Sequence, residues 1–123
     1  MEISHENISG YGCIFKLRGY AEIKSFAIEL IKTIADELMR RGARGIGHIK
    51  LHIEGKNEYL RADTIGLKYG VYIEGLISSS EEYITTINAI SLGLRREDVE
   101  EIVHESIIKI SKKHGLEIIN HNF

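Results

Sequence analysis

The chain has 123 residues, of which 43% are hydrophobic and 28% charged, with a formal net charge of −2. That composition excludes a disordered chain, and the near balance of charge argues against holding nucleic acid or an anionic membrane surface by bulk electrostatics. One core can be buried at this length without disulfide or metal staples, so a single domain over residues 1–123 is expected.

The single cysteine, Cys13, cannot close an internal disulfide, and it alternates with Tyr11, Phe15 and Leu17 on what reads as the buried side of a first strand. A reduced, cytoplasmic setting is the expectation that follows. No apolar run reaches the ~18–20 residues of a membrane span, and the first nine residues lack the charged and apolar regions of a signal peptide. Gln, Pro and Trp are absent while Ile, Lys and Glu abound, a bias compatible with a thermophilic source.

Residues 1–9 are polar and read as loose, and Tyr11 to Arg18 alternate as a strand that ends near Gly19. From Glu22 to Arg41 the apolar residues Ile23, Phe26, Ala27, Leu30, Ile31, Ile34, Leu38 and Met39 recur at spacings of three and four, the stripe of an amphipathic helix. Gly42 is its natural stop. A meander follows from Ile46 to Ile77. Ile49, Leu51 and Ile53 alternate with His48, Lys50, His52 and Glu54, the period of a half-buried strand. A tight turn at Lys56–Asn57 places Glu54 opposite Tyr59, His52 opposite Arg61 and Lys50 opposite Asp63. A second turn over Gly66–Tyr69 places Asp63 opposite Tyr72 and Arg61 opposite Glu74. Both hairpins agree on which side is apolar, and a one-residue slip would scramble both faces.

Ser79 and Glu82 have the spacing of a capping box, so a second helix is expected from there to Gly93, with Ile84, Ile87 and Ile90 on its buried side. A third helix is expected from Glu97 to Lys113, its acidic start and basic end suiting the helix dipole, and Leu116–Ile119 reads as a short last strand. The order β-α-β-β-β-α-α-β defines an α+β class, a mostly antiparallel sheet with helices packed on one face. A ferredoxin-like sandwich with an extra strand is the nearest common architecture.

The polar face of the meander collects His48, Lys50, His52, Glu54, Arg61, Asp63, Tyr72 and Glu74. As a site, it would bind an anionic group through Lys50 and Arg61, with His48 and Asp63 beside them. His52 or Glu74 would move a proton, and Tyr72 would donate a hydrogen bond. The competing reading is a solvated ladder of ion pairs, Lys50 with Asp63 and Arg61 with Glu74, each worth up to ~1 kcal/mol.

No metal site is expected. His48 and His52 sit ~13 Å apart on a strand, too far for ligands ~2.1 Å from one ion. His104 and His114 read as ordinary surface positions, and His5 and His121 lie near the termini. The loop of Arg40, Arg41 and Arg44 is basic and glycine-rich, a weak anion-binding candidate because it follows a helix C-terminus, the wrong polarity for a phosphate loop. RNA stacking on the sheet fails where its mechanism needs paired aromatics, since Tyr69 and Tyr72 are three residues apart and point to opposite faces of a regular strand.

The expected protein is therefore a small homo-oligomeric binding or accessory module, its subunits joining through the open face or edge of the sheet, with no cofactor, no nucleic acid and no membrane partner. The alternative is a small enzyme acting on an anionic metabolite on the polar sheet face or in a subunit cleft.

Overall fold

The computed structural model describes residues 8–78 and 80–120. The expectations placed on residues 1–7, on Ser79 and on His121 lie outside them. The described residues form β1 (Ile8–Arg18), α1 (Ile23–Arg40), β2 (Gly45–Glu54), β3 (Tyr59–Thr64), β4 (Tyr72–Leu76), β5 (Glu82–Leu92), α2 (Arg96–Lys113) and β6 (Glu117–Asn120). The class is α+β. All six strands make one open antiparallel sheet in the order β4-β3-β2-β5-β1-β6.

Handedness places both helices on one face. The crossover β1-α1-β2 skips β5 in one direction, and β5-α2-β6 skips β1 in the other. β1 and β5 are antiparallel, so two right-handed crossovers that move in opposite directions cover the same side. α1 buries Ile23, Phe26, Ala27, Leu30, Ile31, Ile34, Ala35 and Leu38 against that side, and α2 buries Val99, Ile102, Val103, Ile107 and Ile110. The two helices run antiparallel and are tied at both ends. Arg41 pairs with Glu101 at 3.1 Å, and Glu29 meets Lys113 and, at 2.7 Å, His114.

The meander has the expected register, with Glu54 opposite Tyr59, His52 opposite Arg61, Lys50 opposite Asp63, Asp63 opposite Tyr72 and Arg61 opposite Glu74. Asn57 takes a left-handed φ of 60° in the first turn, a conformation asparagine tolerates, and a short 3₁₀ turn over Leu67–Tyr69 makes the second. Helix α1 ends as expected at Gly42, where a φ of 102° lets Ala43 donate back to the Leu38 carbonyl at 3.0 Å.

The stretch expected to form the second helix is a strand. Glu82–Leu92 is β5, which lies between β1 and β2 at the middle of the sheet. Tyr83, Thr85, Ile87, Ala89 and Ser91 point into the core with period two, while Ile84 and Ile90 stand on the opposite, open face. β-Branched Ile84, Thr85, Thr86 and Ile87 suit a pleated strand better than a helix. The first strand also begins earlier than expected, so Ile8 and Ser9 belong to β1. Met39, assigned to the buried stripe of α1, is exposed.

Candidate functional site

With both helices on one side, the other side of the sheet is uncovered among the described residues. Residues that face each other across successive ladders stand side by side, so the open face is built of rows. One row runs Tyr72, Asp63, Lys50, Asn88, Gly12, and the next Glu74, Arg61, His52, Thr86, Ile14. His48, Ile90 and Gly10 make a shorter row above them. The β2–β4 half of this surface is polar. Its other half carries the exposed isoleucines Ile8, Ile14, Ile84 and Ile90.

All eight meander residues expected to share a polar face do so. The ion-pair ladder, however, is only half formed. Arg61 Nη1 lies 3.7 Å from Glu74 Oε2, which also accepts from the Tyr59 hydroxyl at 3.3 Å. The Arg61 guanidinium stands over the Tyr59 ring, 5.8 Å from its centroid, and the His52 ring stacks with the same tyrosine at a centroid distance of 5.7 Å. Lys50 and Asp63 do not form the expected pair. Asp63 instead approaches His48, with Nε2 at 3.7 Å from Oδ1, and His52 Nε2 lies 3.3 Å from Glu54 Oε1. Both imidazole nitrogens are shielded from solvent, and neither contact is aligned as a hydrogen bond. Lys16 and Arg18 pair with Glu82 and Arg61 with Glu74, whereas no carboxylate among the described residues is within ion-pair distance of the Lys50 ammonium.

Two shallow grooves meet at Lys50. One, of about 320 Å³, is lined by Lys50, His52, Arg61, Asp63, Thr86 and Asn88. The other, of about 540 Å³, lies over the Gly10–Gly12 backbone and is walled by His48, Lys50, Asn88 and Ile90. Two side chains of β5 lean sideways over glycines to open this space. A Cβ at Gly12 would stand 2.2 Å from Asn88 Oδ1, and one at Gly47 would stand 2.7 Å from Ile90 Cγ2. Thr86, Asn88, Gly10 and Gly12 are not in the expected site: the first two fall in the stretch expected to be a helix, Gly10 precedes the expected start of the first strand at Tyr11, and Gly12 has no side chain to offer. The signal that finds them is the strand period through β5 and β1.

Elsewhere, several residues sit otherwise than expected. His104 is half-buried, its Nε2 2.5 Å from the Tyr11 hydroxyl, with Arg96 over the tyrosine ring. His114 is largely enclosed against Glu29 and the edge of Phe26. Cys13 is half-buried, not buried, and desolvation pushes its thiol up to about 11. Arg40 pairs with Glu37 at 2.9 Å and Arg41 with Glu101, so two arginines of the basic loop already hold carboxylates. Among the described residues no group of three His, Cys, Asp or Glu side chains is placed to hold a metal, and no helix is long and apolar enough to cross a membrane.

Comparison of the chain with protein-family models, with curated proteins and with solved structures finds no match in any of the three.

Proposed function

We propose that this chain is a homo-oligomeric binding module, joined through the outer edge of β1 and presenting the open sheet face to a ligand. In this reading, β6-β1-β5-β2 with α1 and α2 is a ferredoxin-like sandwich, and the β3–β4 hairpin extends its sheet beyond β2. The setting is the reduced cytoplasm expected from the lone cysteine.

The observation that supports association is the state of that edge. β5 pairs with β1 along its whole length, but β6 meets it only at Lys16, Leu17 and Arg18. Among the described residues no strand covers the outer side of Ile8–Phe15. That run, ISGYGCIF, contains no charge and no proline, the usual guards of an exposed strand. The opposite edge, β4, is five residues long, carries Glu74 and is twisted at Gly75, where φ is 92°. A second copy fits the β1 edge because an antiparallel strand pairs with itself about a two-fold axis, an isologous contact that closes.

Light scattering at micromolar concentration tests the reading. The expected mass is twice that of the 13.9 kDa chain. Ile14→Lys, an edge guard at a side chain that is 61% exposed, is expected to weaken self-association at least tenfold without unfolding the chain. A monomeric wild type, or a dimer indifferent to Ile14→Lys, would overturn the edge contact.

A second reading, a small enzyme acting on an anionic metabolite, is favoured by one observation, the groove that brings Lys50, His52 and Arg61 together. Lys50 and Arg61 would hold the anion and His52 would act as base. Turnover lost on His52→Gln while ligand affinity is kept would establish it.

A further inference from the structure

We propose that the two grooves are one site for an anion with a flat apolar body, an aryl carboxylate or aryl phosphate, with its charged group at Lys50 and its body over the Gly10–Gly12 backbone. The proposal rests on the open face being the binding surface of the module and names the chemical class of its ligand.

The charged end follows from Lys50. It lies in the middle of the face, lines both grooves, and is the one Lys or Arg side chain there that has no carboxylate partner among the described residues. Its neighbours along β2 turn away from it, His48 with Nε2 toward Asp63 and His52 with Nε2 toward Glu54, while Asn88 stands beside it on β5 and Thr86 lines the same groove. Asp63 stands opposite Lys50 on β3, but its carboxylate leans to His48. An anion at Lys50 therefore meets the Asn88 carboxamide, the Thr86 hydroxyl and one nearby carboxylate.

The flat end follows from what the β1 side of the face lacks. Gly10 and Gly12 carry no side chain of their own: the Asn88 carboxamide lies where a Cβ of Gly12 would stand, and a Cβ built at Gly10 would make ordinary contact with Ile90 Cγ1 at 3.6 Å. The Asn88 and Ile90 side chains thus lie low against the sheet, Asn88 on Gly12 and Ile90 toward Gly47, and leave the space above them open. A planar ring fits over this low floor, against the carboxamide and the isoleucine. From β1 to β2 is two strand spacings, ~10 Å, the length of a fused two-ring acid. The volume of the larger groove, about 540 Å³, lies within the range of small-molecule sites.

Calorimetric titration of the full chain with 2-naphthoate, 2-naphthyl phosphate, inorganic phosphate and 2-naphthamide tests this. At least one of the two aryl anions is expected to bind tenfold or more tightly than both inorganic phosphate and the uncharged amide, and the better of the two assigns the head group. Lys50→Met should weaken that binding at least tenfold. Asp63→Asn should strengthen it, because a competing carboxylate is removed. Gly12→Ala should weaken it by driving the Asn88 carboxamide up into the groove. Should Gly12→Ala not fold, Lys50→Met and Asp63→Asn decide the matter. Equal affinity for naphthamide, equal affinity for inorganic phosphate, no binding at millimolar ligand, or indifference to Lys50→Met would each overturn the proposal. Mass measured on the same samples keeps the two readings apart. A monomer that binds naphthoate removes only the edge contact, and a dimer that binds none of the four ligands removes only this site.

Discussion

The hydroxyl of Tyr11 lies 2.5 Å from Nε2 of His104, tying β1 to α2 along the part of β1 that has no outer strand. Arg96 covers the tyrosine ring from the start of α2, its guanidinium carbon 5.4 Å from the centroid. Burial raises the Tyr11 hydroxyl above its ordinary range, so it stays protonated and able to donate. Tyr11→Phe removes one hydrogen bond to a half-buried imidazole and is expected to cost about 1 kcal/mol, or a few degrees of melting temperature. Calorimetric melting of the two proteins checks this.

Cys13, two residues further along the same face, should behave as a poorly reactive thiol. Desolvation raises it to about 11, above its ordinary value of 9.0. At pH 8 the native chain should therefore react with a disulfide reagent at least tenfold more slowly than the urea-unfolded chain. The linkage has a definite sign. A raised folded value stabilises fully below the unfolded thiol's pKa, and the contribution fades as pH rises toward about 11. Cys13→Ala should accordingly lose less stability than the wild type above pH ~9.

Thr85 offers a test of the central strand. Its side chain is fully buried on the helix side of β5, and its hydroxyl finds no hydrogen-bond partner among the described residues. Thr85→Val keeps the shape and removes the unpaired polar group, so it should stabilise the fold by about 1–2 kcal/mol. Denaturant melts of the two proteins decide it, and a destabilised valine variant would mean that the hydroxyl has a partner in solution.

The same residue shows why part of the fold was legible in the sequence and part was not. In the meander, isoleucine and leucine alternate with charged residues, and two turns pin the register independently, so His52–Arg61 and Arg61–Glu74 were readable pair by pair. In β5 the buried positions include Thr85, Ala89 and Ser91, while Ile84 and Ile90 face outward. Its apolar residues thus recur at three, as on a helix, although the chain alternates. Ser79 and Glu82 added the spacing of a helix cap. Long-range pairing on both sides, with β1 and β2, outweighs that local signal.

The candidate site was legible to the same extent. Lys50, His48, His52, Arg61 and Asp63 come from strands whose register could be read. Asn88 and Thr86 come from the strand that could not, and Gly10 and Gly12 contribute by having no side chain at all. Lys50 without its expected partner was beyond the sequence, because Asp63 leaning to His48 is a choice of side-chain conformation.

The edge of β1 can be read amide by amide, and that measurement bears most directly on the account. In the ladder with β5 alone, every second N–H of Ile8–Phe15 is bonded, and the alternate ones point outward. If two chains join there, hydrogen exchange followed by NMR should show all these amides protected at high protein concentration. On dilution, only the alternate set should lose protection. An exchange pattern that alternates at every concentration would mean that the β1 edge faces water, and would contradict the account.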